Sequence, residues 1–185
     1  MELTDRACTV IGPKSTRFSF RYNEQDSLCR LLKNTLLDQI SVLYHSGVRR
    51  FIVSGTLGVG IWSGECVVEI KDKGFDVGLE LLEPFPDHHA GWDNRSKRRL
   101  ERIRKACCSH YPVLRQEAPD AMKRIRYKMI EKADIVIAIY DGDKNDRLMT
   151  QLINYAKKLG RQMILIHPDT AAVSPPLCPM DSEAR

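Results

Sequence analysis

At 185 residues, with 43% hydrophobic and 29% charged side chains, the chain is long enough for a core of its own and too ordinary to be disordered, collagen-like or a disulfide scaffold. Lys and Arg exceed Asp and Glu by 29 to 24, a formal +5 that suits an anionic ligand or light contact with nucleic acid without demanding either. No apolar run approaches the roughly 20 residues of a membrane span, and the opening residues lack the charged start and apolar middle of a secretory leader, so a cytoplasmic protein with no membrane partner is expected.

Ala7–Ile11 is a short apolar run ended by Gly12-Pro13, which predicts a strand and a turn. Lys14, Ser15, Thr16 and Arg17 follow at the strand's end; these residue types meet phosphate, or simply surface a polar loop. After Asp26, a helix N-cap, the residues Leu28, Leu31, Leu32, Leu36, Ile40 and Leu43 recur at helical spacing. They predict a helix to about Ser46, stopped by Gly47. Residues 51–54 form the second predicted strand.

The segment Ser54-Gly55-Thr56-Leu57-Gly58-Val59-Gly60 then joins strand to helix. Strand, glycine turn and helix N-terminus together can hold a phosphate on backbone N–H groups and the helix dipole. The spacing matches neither the dinucleotide fingerprint nor a Walker loop, and such glycines also serve close packing. A helix is predicted over 59–73 with Trp62, Cys66, Val67 and Ile70 inward, so Trp62 reads as core rather than a stacking platform; Glu65 lies one turn in.

Residues 77–82 predict a third strand, and the Pro-bounded stretch to Trp92 a loop, in which Trp92 is the better base-stacking candidate. Asp93 or Asn94 caps a predicted helix over 95–108. Its seven basic residues, Arg95 among them, read as a solvated face, a phosphate clamp or a nucleic-acid patch. A short strand is predicted over 111–114 and a helix from Pro119-Asp120 to Lys132 that carries Arg126. The run 135–140 is apolar throughout, as for a strand covered on both faces, and ends at Asp141-Gly142. A helix over 148–159, a strand over 163–166 and a loose tail over 169–185 complete the chain. Six cysteines without C-x-x-C spacing read as free thiols, and His88-His89 as loop residues, so no metal site is expected.

Strictly alternating strands and helices predict a single α/β domain over 1–168, a mostly parallel sheet of about six strands with helices on both faces. In such sheets ligands sit at the strands' carboxyl ends. The segments 12–17, 54–60, 83–92 and 141–147 are therefore expected to converge.

In order and spacing these motifs resemble the SLOG (SMF/DprA-LOG) superfamily, within it the YpsA-like branch. The resemblance rests on Ile11-Gly12-Pro13-Lys14, on Ser54-Gly55-Thr56-Leu57-Gly58-Val59-Gly60-Ile61-Trp62-Ser63-Gly64-Glu65, on Leu82-Glu83-Pro84-Phe85 with Trp92 and Arg95, and on 126–142. The branch's Asp after Gly-Val is Gly60 here, and Arg147-Leu148-Met149 replaces its phosphate-receiving Gly-Gly-Thr. The resemblance implies a Rossmann-like pocket for a nucleotide or ADP-ribose-type ligand, no required cofactor and self-association. Gly12, Ser54, Gly55, Gly58 and Gly60 would approach phosphate; Lys14, Arg95, Arg126 and Arg147 would add charge; Trp92 would stack; Glu65 would meet a ribose hydroxyl. Two other readings stay open: an N-glycosidic hydrolase with Glu65 or Asp141 as carboxylate, and DprA-like single-stranded DNA binding.

Overall fold

A computed structural model describes residues 6–177. The elements are β1 (Ala7–Ile11), α1 (Ser27–His45), β2 (Arg50–Ser54), α2 (Val59–Asp72), β3 (Gly78–Glu83), α3 (Asn94–Ala106), β4 (Ser109–Pro112), α4 (Ala121–Lys132), β5 (Ile135–Ile139), α5 (Arg147–Lys158), β6 (Gln162–Ile166) and β7 (Val173–Leu177). They form one seven-stranded sheet in the order β4-β3-β2-β1-β5-β6-β7, parallel except for β7, which runs antiparallel to β6.

Alternation along the strands builds the two apolar layers. From β1, Cys8 and Val10 join the cluster beneath α1, α2 and α3, whereas Ala7 and Ile11 face α4 and α5. A residue period of two sends neighbours to opposite faces, so a strand apolar at every position can only be covered twice. In α1 the buried stripe is Cys29, Leu32, Leu36, Ile40 and Leu43, while Leu31, expected on it, is 49% exposed because it lies one residue off the repeat. The helix α2 is buried almost all round, between α1 and α3 on the sheet, and Trp62 is 2% exposed, a core residue as its spacing predicted.

Two boundaries differ from expectation. The fourth strand runs over Ser109–Pro112 instead of 111–114 because it is an exposed edge with no apolar pattern to mark it. Residues 173–177, expected in a loose tail, pair with β6 as a seventh strand, its register shifted between Met163 and Leu165. The rest of the expected tail, 178–185, lies outside the described residues.

Candidate functional site

Strands β2, β3 and β4 lie on one side of β1, and β5 with β6 on the other. The loops leaving β1 and β5 therefore part company above the sheet, and a crevice opens there. The turn between β2 and α2 forms its wall.

That turn is tightly built. Gly55 N–H donates to Leu82 O at 2.8 Å, and the hydroxyls of Ser54 and Thr56 bond at 2.8 Å. Gly58 caps α2 with φ 79°, a left-handed backbone that favours glycine, and no side chain caps the helix there. At Gly60 a Cβ would stand 2.6 Å from Ser54 O. Here the branch's Asp is sterically excluded unless the turn reopens. Among the described residues, the N–H groups of Thr56, Leu57 and Gly58 donate to no backbone or side-chain acceptor. Three such N–H groups ahead of a helix are what an anion binds.

The turn separates two cavities. On the β1–β5 side a cleft of about 480 Å³ is lined by Lys14, Thr16, Arg17, Arg126, Asp143 and Asp146. It continues into a narrow hollow against Gly12, Ser54, Thr56, Gly60 and again Arg126. On the α1–α3 side a cavity of about 450 Å³ is lined by Ser15, Arg21, Tyr22, Gly58, Trp62, Arg95 and Arg99, among others. Of the expected ligand residues, Gly12, Lys14, Ser54, Gly60 and Arg126 thus face the first space, and Gly58 and Arg95 the second. Expected as one group, they stand on both sides of a wall.

Arg126, on α4, is half-buried and opens onto both the cleft and the hollow. Burial pushes its guanidinium below the ordinary arginine range; among the described residues, Asp146 alone draws it back and no hydrogen bond holds it. A guanidinium withdrawn from water without a partner is costly, and an anion in the cleft would complete it.

The other expected polar residues are engaged elsewhere. Glu65 accepts a two-pronged bond from Arg99, Nε to Oε1 at 2.6 Å and Nη2 to Oε2 at 2.7 Å, and lines neither cavity. Arg99 also reaches Glu24 at 3.0 Å, which accepts from Lys33 and from Trp62 Nε1 at 2.8 Å as well. Burial alone would raise the Glu24 carboxyl; the bonds from Arg99, Lys33 and Trp62 outweigh it and hold it at about 2. The bonds to Glu65 foremost, against the cost of burial, raise Arg99 in turn. Arg99 and Glu24 are the residues that sequence reasoning missed. Arg99 sat unremarked in the basic run, and nothing local marks Glu24 as its partner 75 positions away.

Asp141 is paired with Arg17 and accepts from Asp143 N–H at 2.9 Å. Burial would raise its carboxyl, but these two contacts keep it below the ordinary range. Asp141, His167 and Asp169 bring metal-ligating atoms within 4.8 Å of one another, yet Arg17 already lies against both carboxylates and supplies the cation. At the N-terminus of α5, where Gly-Gly-Thr would receive phosphate, Asp146 accepts from Met149 N–H at 3.0 Å, so a carboxylate of the chain takes that place. Arg147, expected to compensate, is exposed and lines no part of the cleft.

Trp92 also departs from its expected role. It packs against the core and meets His88 edge-on at 5.3 Å, lining neither cavity. His88 bonds the Gly55 carbonyl through Nε2, while its buried Nδ1 is unpartnered, 3.5 Å from Glu83. Glu83 is clamped by Arg104 through two bonds of 2.7 Å. The loop 83–92 therefore braces the glycine turn from behind rather than covering a ligand. Among the described residues, no helix is long and apolar enough to cross a membrane.

Known proteins are similar to this chain in sequence or in fold. A UPF0398 protein of Bacillus thuringiensis is 28% identical over 157 residues, 84% of each chain. Another, from Halalkalibacterium halodurans, is 28% identical over 115 residues, and this chain spans about three fifths (61%) of its length. Among solved structures, DNA processing protein A from Helicobacter pylori, described for a single-stranded DNA binding mode, superposes with a TM-score of 0.55 at 17% identity. That match covers 89% of this chain and 67% of that one, and it shows a common fold. The model of the YspA SLOG family (YpsA) matches residues 8–171, nearly the whole of the sheet and its helices, and the chain belongs to that family.

Proposed function

We propose that the chain binds a phosphorylated, nucleotide-type small molecule in the cleft above β1 and β5, as a sensor or sequestering protein. The observation that carries this reading is Arg126, a half-buried cation at the wall of that cleft with no hydrogen-bond partner among the described residues. Lys14 and Thr16 line the same space, and Thr56, whose N–H has no acceptor among the described residues, lines the hollow into which it continues. Family membership supports the reading; ADP-ribose is its finer form.

A thermal-shift panel of inorganic phosphate, AMP, ADP-ribose and linear or cyclic dinucleotides tests it. A ligand at 100 times its Kd adds about 2.7 kcal/mol, roughly 5–10 °C in Tm for a chain of this length. Arg126→Ala should weaken the responding ligand roughly 10- to 100-fold, the worth of a charge-assisted bond. No response to any phosphorylated compound, or one indifferent to Arg126→Ala, overturns the reading.

The hydrolase alternative is less well supported, since Glu65 and Asp141 are both held by arginines. Chromatography of the responding ligand after incubation decides between binding and cleavage. The fold neighbour's DNA binding motivates a second reading. Arg99, Arg102, Arg104 and Arg124 are spent in ion pairs, while Arg95, Lys97, Arg98, Lys105 and Lys123 have no carboxylate in salt-bridge reach among the described residues, so only part of the charge on α3 and α4 is left for a phosphate track. A gel shift with a labelled single strand, lost between 50 and 200 mM salt, would favour it.

A further inference from the structure

The cavity between the segment that leads into α1 and the first turns of α2 and α3 is built differently from the cleft. Two carboxylates line it, and both are occupied. Glu24 is taken by Arg99, Lys33 and Trp62. Asp93 caps α3, accepting from the N–H groups of Arg95 and Ser96 and from the Ser96 hydroxyl at 2.6 Å. Arg99, Trp62 and Ser96 donate to carboxylates, but three other donors are left over among the described residues. Arg21 and Arg95 line the cavity with no carboxylate in salt-bridge reach among the described residues. Ser15 is 9% exposed, opens onto the cavity, and its hydroxyl bonds no described residue.

That hydroxyl lies against the helix entrance. A Cβ on Gly58 would stand 2.6 Å from Ser15 Oγ, so only glycine leaves room for the hydroxyl there, next to Leu57 and Gly58, whose N–H groups have no acceptor among the described residues. Arg21 holds a left-handed backbone, φ 50°, at the rim. Such a conformation in a residue with a side chain is retained where the surroundings or a function demand it. Next to it Tyr22 is 69% exposed and also lines the space.

We propose that this cavity is a second anion site, separate from the Arg126 cleft, for a phosphomonoester that carries a planar aromatic ring. The phosphate would take the Ser15 hydroxyl, the α2 N–H groups and the two arginines, a set of donors without a competing acceptor. The ring would lie on Tyr22. A space of about 450 Å³ holds a molecule of mononucleotide size.

The test uses Trp62, which lines the cavity. The chain has two tryptophans, so Trp92→Phe leaves Trp62 as the sole reporter. Titration of the Trp92→Phe protein with AMP should give a saturable change in Trp62 fluorescence. Adenosine and inorganic phosphate should each bind at least 10-fold more weakly than AMP. Arg95→Ala, at an exposed position where folding is not at stake, should weaken AMP at least 10-fold, and Tyr22→Ala less. Arg126→Ala should leave this signal unchanged, which separates a failure here from a failure of the cleft. In calorimetry with both tryptophans in place, Arg95→Ala should weaken one AMP site at least 10-fold. No fluorescence change up to millimolar AMP, or a signal lost with Arg126→Ala and kept with Arg95→Ala, overturns the proposal.

Discussion

Arg99 and Arg126 are both guanidiniums drawn in from water on helices packed against the sheet, yet their surroundings are opposite. Arg99 meets three carboxylate contacts, from Glu65 and Glu24, and its charge is reinforced. Arg126 meets none, and burial works against its charge. The comparison teaches that a basic residue's neighbours, more than its burial, divide structural cations from available ones. An arginine with its own carboxylates holds elements together, and one without them waits for an anion.

The comparison breaks first at Arg99. Arg99→Ala strands the partly buried Glu65 carboxylate and leaves Glu24 to Lys33 and Trp62, and should cost about 3 kcal/mol, measured as a lower midpoint in urea. A loss below about 0.5 kcal/mol would make the network a surface ornament and undo the contrast.

Acid should reach the same network more gently. Glu24 is held at about 2 against an ordinary 4.5. A depressed folded value means its stabilisation is complete above the unfolded value and drains away as pH falls from about 4.5 through about 2. The contribution is about 2 kcal/mol after discounting for partial exposure. Urea midpoints across that range should fall in the unsubstituted protein and fall less in Glu24→Gln, a difference that sharpens the assignment.

For Arg126 the sign reverses. Arg126→Met removes a half-buried charge with no ion pair among the described residues and should stabilise the ligand-free protein by about 1 kcal/mol, or roughly 2–4 °C in Tm, while weakening the ligand of the cleft as Arg126→Ala does. A drop in Tm would show that Arg126 has a structural partner after all. Smallest of all, Arg147→Ala should change stability by less than about 0.5 kcal/mol and leave ligand response untouched, since that side chain is exposed outside the cleft. A clear loss of binding would restore its expected role.

The fold was largely legible because its signals are local. Apolar runs such as 135–139 name a doubly covered strand, the Leu32–Leu36–Ile40 spacing names a helix face, and Asp26 and Asp93 cap the helices they precede. The edges β4 and β7 were harder, because an edge strand bonds on one side and needs no apolar alternation. Of the candidate site, the sharpness of the glycine turn was legible in its residue types. The pairing of Glu65 with Arg99 was not, because it joins residues 34 positions apart on two helices whose facing is set by packing.

Residue order alone determined the alternation of strands and helices, the placing of phosphate-friendly segments at the strands' carboxyl ends, and membership of a family that shares them. Those properties follow from periodicity and backbone chemistry over a few residues. Only the tertiary structure decided which charges are spent within the chain and that the glycine turn is a wall with a space on either side. Those depend on distances across the fold, where an ångström separates a paired carboxylate from a free one.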